Sequence, residues 1–127
     1  MTKVKERFTV RSDKTENGMA FRAFRGPLLA GAVYVRATRT GYGYLHGMYV
    51  RTDQRRSGAG KALMEAVITT YGRTCRLELI CKAGGPLSDE QLGEFYARYG
   101  FAYGPSAWAN RDPRDSDARR MFRDPRG

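Results

Sequence analysis

Histidine occurs once in these 127 residues, cysteine twice and tryptophan once. So few imidazoles and thiols supply no metal-ligand set at a recognisable spacing, and no metal is expected. The two cysteines, Cys75 and Cys81, flank the strand-like stretch Arg76-Leu77-Glu78-Leu79-Ile80. Six steps of extended chain separate them by about 20 Å, which is beyond the reach of a disulfide, so both are expected to be free thiols. Long apolar runs are missing too. Nothing approaches the roughly 18 residues of a membrane span, and the start Met1-Thr2-Lys3-Val4-Lys5-Glu6 lacks the apolar core of a secretion signal. A cytoplasmic protein is expected. Acid is scarce as well: 13 Asp and Glu face 23 Lys and Arg, a net charge of +10. Clustered cations attract polyanions such as nucleic acid. No motif of a nucleic-acid reader is present, and a basic surface serving a small anionic ligand is the favoured reading.

The residues that are present suffice for one domain spanning 1–127, since 41 % of them are hydrophobic and 12 % aromatic. Alternation of apolar and polar residues predicts strands over 7–12 and 19–25, with Asn17-Gly18 as the hairpin turn between them. Gly26-Pro27 closes the second, and further strands follow over 28–38 and 41–50. Ala62, Leu63, Ala66, Val67 and Tyr71 recur at helical spacing, and Gly72 supplies a stop. A buried strand over 75–81 comes next. Ser88 is placed to cap a second helix whose inward face is Leu92, Phe95, Tyr96 and Tyr99, with Gly100 ending it. Short strands are predicted at 101–103 and 118–123. The stretch 104–117, rich in Pro, Asp, Asn and Arg, reads as an exposed loop and opens an Arg-rich C-terminal segment at about 104–127. Arg-Asp-Pro-Arg occurs there twice, at 111–114 and 123–126, a repetition expected by chance in an arginine-rich tail.

Residues 50–64 carry the strongest chemical signal. A strand ending at Val50 runs through Arg55-Arg56-Ser57-Gly58-Ala59-Gly60-Lys61 into the first helix. Glycines at 58 and 60 leave no side chain between the backbone and an anion, so the amides at the helix start can point at phosphate oxygens. The unpaired N–H groups and the helix dipole supply attraction. Arg55, Arg56 and Lys61 add full charges, and a guanidinium binds two oxygens at once. The pattern is not a P-loop, because no Gly-Lys-Ser/Thr follows at the required spacing.

Arg55-x-x-Gly58-x-Gly60, with Val50 eight positions before Gly58, resembles the pyrophosphate loop of the GCN5-related N-acetyltransferases (GNAT). Leu92-Gly93-Glu94-Phe95-Tyr96-Ala97-Arg98-Tyr99-Gly100-Phe101 resembles the second signature of that family, at the right distance downstream. The resemblance implies an α+β fold in the three-layer GNAT arrangement, with a mixed, mostly antiparallel central sheet and helices packed on it. Only a short turn near Lys14 to Gly18 stands where the family usually carries one or two helices, so the N-terminal helical region is reduced, as in compact phage- or plasmid-encoded members. It further implies acetyl-CoA as co-substrate, contacted by Arg55, Arg56, Ser57, Gly58, Ala59, Gly60 and Lys61. The backbone of Met48, Tyr49 and Val50 would run beside the pantetheine arm, and an amide near Met48 to Tyr49 would stabilise an oxyanion. Tyr96 would protonate the departing thiolate, which suits a phenol.

His46, four residues before Val50, stands where a number of family members place a glutamate facing the acceptor. An imidazole titrates near neutrality and can serve as the base, although a lone strand histidine is more often structural. Glu78 is the reserve candidate, at a position that equally suits a solvent-facing side chain. The expected reaction is direct transfer of acetyl from acetyl-CoA to a primary amine. A protein lysine is preferred because a reduced N-terminal region leaves an open groove. Aminoacyl-tRNA, a small amine, or a non-catalytic basic binding module on the same fold are the alternatives. Homodimers are common in the family, and a homodimer is one state the resemblance allows.

Overall fold

A computed structural model describes residues 8–39, 41–51, 58–80, 87–103 and 120–125. Their elements follow in the order β1 (Thr9–Thr15), β2 (Gly18–Arg25), β3 (Leu28–Arg39), β4 (Tyr42–Val50), α1 (Ala59–Tyr71), β5 (Arg76–Ile80), α2 (Asp89–Ala97), β6 (Ala102–Tyr103) and β7 (Arg120–Arg123). The seven strands form one sheet in the order β1-β2-β3-β4-β5-β7-β6. Every neighbouring pair is antiparallel except β4 and β5. α1 makes the long connection that a parallel pair needs. The mixed, mostly antiparallel sheet expected from the sequence is therefore present.

The first hairpin differs from expectation in its turn. Thr15 pairs with Gly18, so Glu16-Asn17 is the two-residue loop and Gly18 is already strand. The reason lies on the other side of β2. A Cβ on Gly18 would stand 1.9 Å from the Val35 carbonyl oxygen, so glycine is required there for close approach to β3 rather than for the turn. Gly72 likewise follows α1 in a right-handed conformation, φ −64°, not the left-handed one a glycine stop suggests. Its missing side chain leaves room for Arg123, whose Nη1 donates to the Gly72 carbonyl at 2.9 Å. At α2 the expected cap is a full capping box: Ser88 Oγ accepts from the Gln91 amide, and the Gln91 side chain accepts from the Ser88 amide.

The period-two alternation of the strands sorts side chains onto two faces. Phe21, Val33, Val35, Leu45 and Leu77 point to one side and pack with Leu63, Met64 and Val67 of α1. Tyr96 of α2 and Phe101 join the same cluster, so both described helices cover one face of the sheet. Among the described residues no helix lies on the other face, and none is long and apolar enough to cross a membrane. Cys75 is buried and free, as expected; Cys81 lies outside the described residues.

Candidate active site

β4 is where the sheet opens. Its pairing with β5 covers only Tyr42, Gly43 and Tyr44, opposite Arg76, Leu77 and Glu78. Beyond that point β4 continues to Val50 in register with β3 alone. A bulge accompanies the parting: Ala32 pairs with Tyr49 but Tyr34 pairs with His46, one residue more on β4 than on β3. Gly47 takes φ +65° there, the left-handed residue typical of such bulges. A Cβ at Gly47 would also lie 2.9 Å from the Tyr34 ring. The consequence is a strand segment, Leu45 to Val50, that is paired with β3 but not with β5, and whose Met48 lies near Gly60 at the start of α1.

That start has the chemistry an anion would require. Gly58 is the N-cap in a left-handed conformation, φ +98°, with no side-chain capping bond, and no acidic residue occupies the first turn of α1. The N-cap and the first turn thus supply no side-chain acceptor to the amides at the positive end of the helix dipole. A side chain at Gly58 would meet strain even though space is available, with only the Phe8 ring edge at 4.0 Å. Gly60 is different: a Cβ there would come to 3.3 Å from Phe95 Cζ and 3.8 Å from Met48 Cε. Its absence lets β4, the start of α1 and α2 converge on one point. Ala59 is buried, whereas Lys61 is exposed and pairs loosely with Glu65 one turn on, at 3.8 Å. Arg55, Arg56 and Ser57 lie outside the described residues. Met48 and Val50 are half-buried, and Tyr49 is exposed.

Tyr96 lies on the helix-covered side, buried edge-on between Phe95 and Phe101 with ring centroids at 5.3 and 6.1 Å. His46 lies on the opposite side. Its exposed ring stacks with Tyr34 across the β3–β4 pair at 5.7 Å and with Tyr44 along β4 at 5.9 Å. The two candidate proton-transfer groups thus face opposite sides of the sheet. Glu78 shares the His46 face, but it is not solvent-facing. It is 2 % exposed and held by Arg120 in an ion pair, because β7 pairs alongside β5 and brings that guanidinium across. A carboxylate so engaged is less available as a base.

A profile of the acetyltransferase (GNAT) domain matches residues 16–103. The chain belongs to the GNAT family. Solved GNAT structures share its fold. The ribosomal-protein-S18-alanine N-acetyltransferase of Escherichia coli is 19 % identical, with a TM-score of 0.64, over 90 % of this chain and 74 % of that one. A GNAT-family protein of Bacteroides thetaiotaomicron is 15 % identical with a TM-score of 0.62, over 91 % of this chain and 66 % of that one. N-acetylglutamate synthase of Neisseria gonorrhoeae, solved with coenzyme A and L-arginine, is 17 % identical with a TM-score of 0.63. The similarity covers 85 % of this GNAT chain and a quarter (25 %) of that longer one. No curated protein matches the chain in sequence.

Three features of this GNAT site escape a reading of motifs alone. The Gly47 bulge was signalled only by a lone glycine inside a strand pattern. The meeting of Gly60, Phe95 and Met48 had no signal, since it joins three segments distant in sequence. The Tyr34–His46–Tyr44 stack needed the β3–β4 register, which the bulge shifts. Among the described residues no group of His, Cys, Asp and Glu is placed to hold a metal.

Proposed function

We propose that this chain is an acetyl-CoA-dependent N-acetyltransferase acting on a primary amine, most simply a protein lysine. The observation that carries the reading is the parting of β4 from β5 after Tyr44 and Glu78, immediately beside a helix start whose amides lack a side-chain cap. The donor set suits a pyrophosphate: Gly58 to Gly60 offer backbone N–H groups, and Lys61 adds a nearby cation. The β4 segment beyond Tyr44 offers main-chain groups to an extended chain, in the manner of an added strand.

When bound, acetyl-CoA supplies a thioester, whose carbon–sulfur bond breaks as the acceptor nitrogen forms its bond to the acetyl carbon. Around that exchange the residues divide the proton work. His46, on the open face, takes a proton from the incoming ammonium so that nitrogen has a free lone pair. Tyr96, on the helix side, gives its phenolic proton to the leaving sulfur; the nitrogen sheds its second proton to solvent as the amide forms, and solvent returns a proton to Tyr96. An amide near Met48 to Tyr49 steadies the carbonyl oxygen. Entry of the amine from one face and protonation from the other require an opening in the sheet, which the departure of β4 from β5 supports. Phe95, whose ring lies against Gly60, keeps the Tyr96 helix close to the glycine loop.

Calorimetric titration with acetyl-CoA tests the reading, repeated on Gly58→Glu. Micromolar binding by the native chain, lost by about a hundredfold or more in the variant, is expected from a carboxylate placed against the phosphates. A melt of the variant by circular dichroism checks that its fold survives the strain at φ +98°. Failure of the folded native protein to bind acetyl-CoA would refute the assignment.

A further inference from the structure

The face of the sheet that no described helix covers carries an uneven set of charges. Arg11, Arg22, Arg36, Arg76 and Arg120 share it, as their registers and contacts show. Their described counter-charges are three. Arg22 pairs with Asp13 at 3.1 Å, Arg120 with Glu78, and Arg76 Nε lies 3.3 Å from Asp124. Arg11 and Arg36 are exposed and have no carboxylate in ion-pair reach among the described residues. Each instead sits over a ring: Arg11 over Phe24 at 5.8 Å and Arg36 over Tyr44 at 5.4 Å. Arg36 is opposite Tyr44 in register, and Tyr44 stacks on His46. An uncompensated cation therefore stands within two side chains of the proposed base.

We propose that this open face docks an acidic protein segment, so that the lysine presented to His46 is one flanked by aspartate or glutamate. The inference rests on the amine-transfer reading above and names its substrate class. Complementarity of charge is the argument: among its described residues the face has more guanidinium than carboxylate, and the chain as a whole is +10. A flanking carboxylate would reach Arg36 while the lysine reaches His46, and Arg11 would steer more distant acids. A broad sheet surface without a described helix over it also fits an extended polypeptide better than a small molecule, which needs enclosing walls. Single-stranded nucleic acid is disfavoured by the rings. Bases bind by stacking on open aromatic faces. Here Tyr34, His46 and Tyr44 face one another, at interplanar angles of 28° and 12°, and guanidiniums cover Tyr44 and Phe24.

The test uses two fluorescein-labelled peptides with one central lysine each, one flanked by Glu and Asp and the other by Gly and Ser. Binding to the full chain is read by fluorescence anisotropy and acetylation by mass spectrometry. The acidic peptide should bind at least about tenfold tighter, with the advantage shrinking as salt rises from about 50 to about 300 mM. Arg36→Glu should erase that advantage while calorimetric binding of acetyl-CoA shows the fold intact. Equal binding of both peptides would overturn the docking proposal, even if both are acetylated. Tighter binding of a uridine oligonucleotide, displacing the acidic peptide, would overturn it in favour of nucleic acid. Selective binding of the acidic peptide without acetylation would leave the docking face standing and remove the transfer reading.

Discussion

The two faces of the sheet are made by the same strands, one residue apart, and they are held by different forces. On the helix side Phe21, Val33, Leu63, Val67 and Leu77 are at most 1 % exposed and belong to one buried apolar cluster. On the open side aromatic rings, arginines and carboxylates engage one another in stacks and ion pairs. Burying apolar area is worth about 25 cal/mol per Å², whereas an exposed ion pair contributes about 0–1 kcal/mol. One face thus carries the stability, and the other is free to carry recognition. A residue shifted by one position along a strand changes which of these it serves.

Glu78 is a charged open-face residue that strains this division, because it is as buried as the core. Glu78→Ala should lower unfolding free energy by about 3–5 kcal/mol, because it removes the buried carboxylate that faces the partly buried Arg120 guanidinium. Removing both partners should restore part of the loss, read by denaturant titration. A loss under about 1 kcal/mol would place Glu78 with the ordinary surface pairs.

Neighbouring residues of β5 make the cleanest comparison. Leu77→Ala, at a position with no exposure, should cost about 2–5 kcal/mol. Arg76→Ala, whose side chain is 32 % exposed, should cost about 1 kcal/mol or less. Equal costs at the two positions would break the comparison. Catalysis offers a third contrast: Tyr96→Phe should keep acetyl-CoA binding and lower kcat by about a hundredfold, some 2.7 kcal/mol of barrier. Undiminished transfer would return Tyr96 to a packing role.

How much of this was legible beforehand follows the same division. Elements set by local chemistry were readable: the Ser88 cap, the Gly100 stop at φ +93°, the helix following Gly58 and the antiparallel β1–β4 order. Both motif segments point to the family that the profile match establishes. What needed long-range register was not readable. Glu78 alternates with leucines and looks exposed until β7 places Arg120 beside it. Gly18 looks like a turn residue until β3 arrives behind it. His46 could be picked out as the sole histidine, but its stack depends on a bulge that no local pattern locates. Arg55, Arg56 and Ser57, central to the motif, lie outside the described residues.

The smallest expected effect concerns two tyrosines on the helix side. Burial raises the pKa of Tyr71, which packs edge-on against Phe21, with the nearby Cys75 acting in the same direction. Burial also raises that of Tyr99, which packs against Phe95, assisted by Glu65 and opposed by Arg98. A phenol is neutral when protonated, so a raised folded-state pKa means the folded chain holds its proton more tightly than the unfolded one. Their contribution is fully present below the unfolded value near 10 and is lost as pH rises through the folded value. The melting temperature should therefore fall from about pH 10 upward, and more steeply in the native chain than in Tyr71→Phe/Tyr99→Phe. The contrast between the two chains isolates these phenols from every other group that titrates in that range. Parallel curves would mean that the phenols ionise as freely in the fold as outside it, so that the helix-covered face would be wetter at its rim than the packing of Phe21 and Phe95 implies.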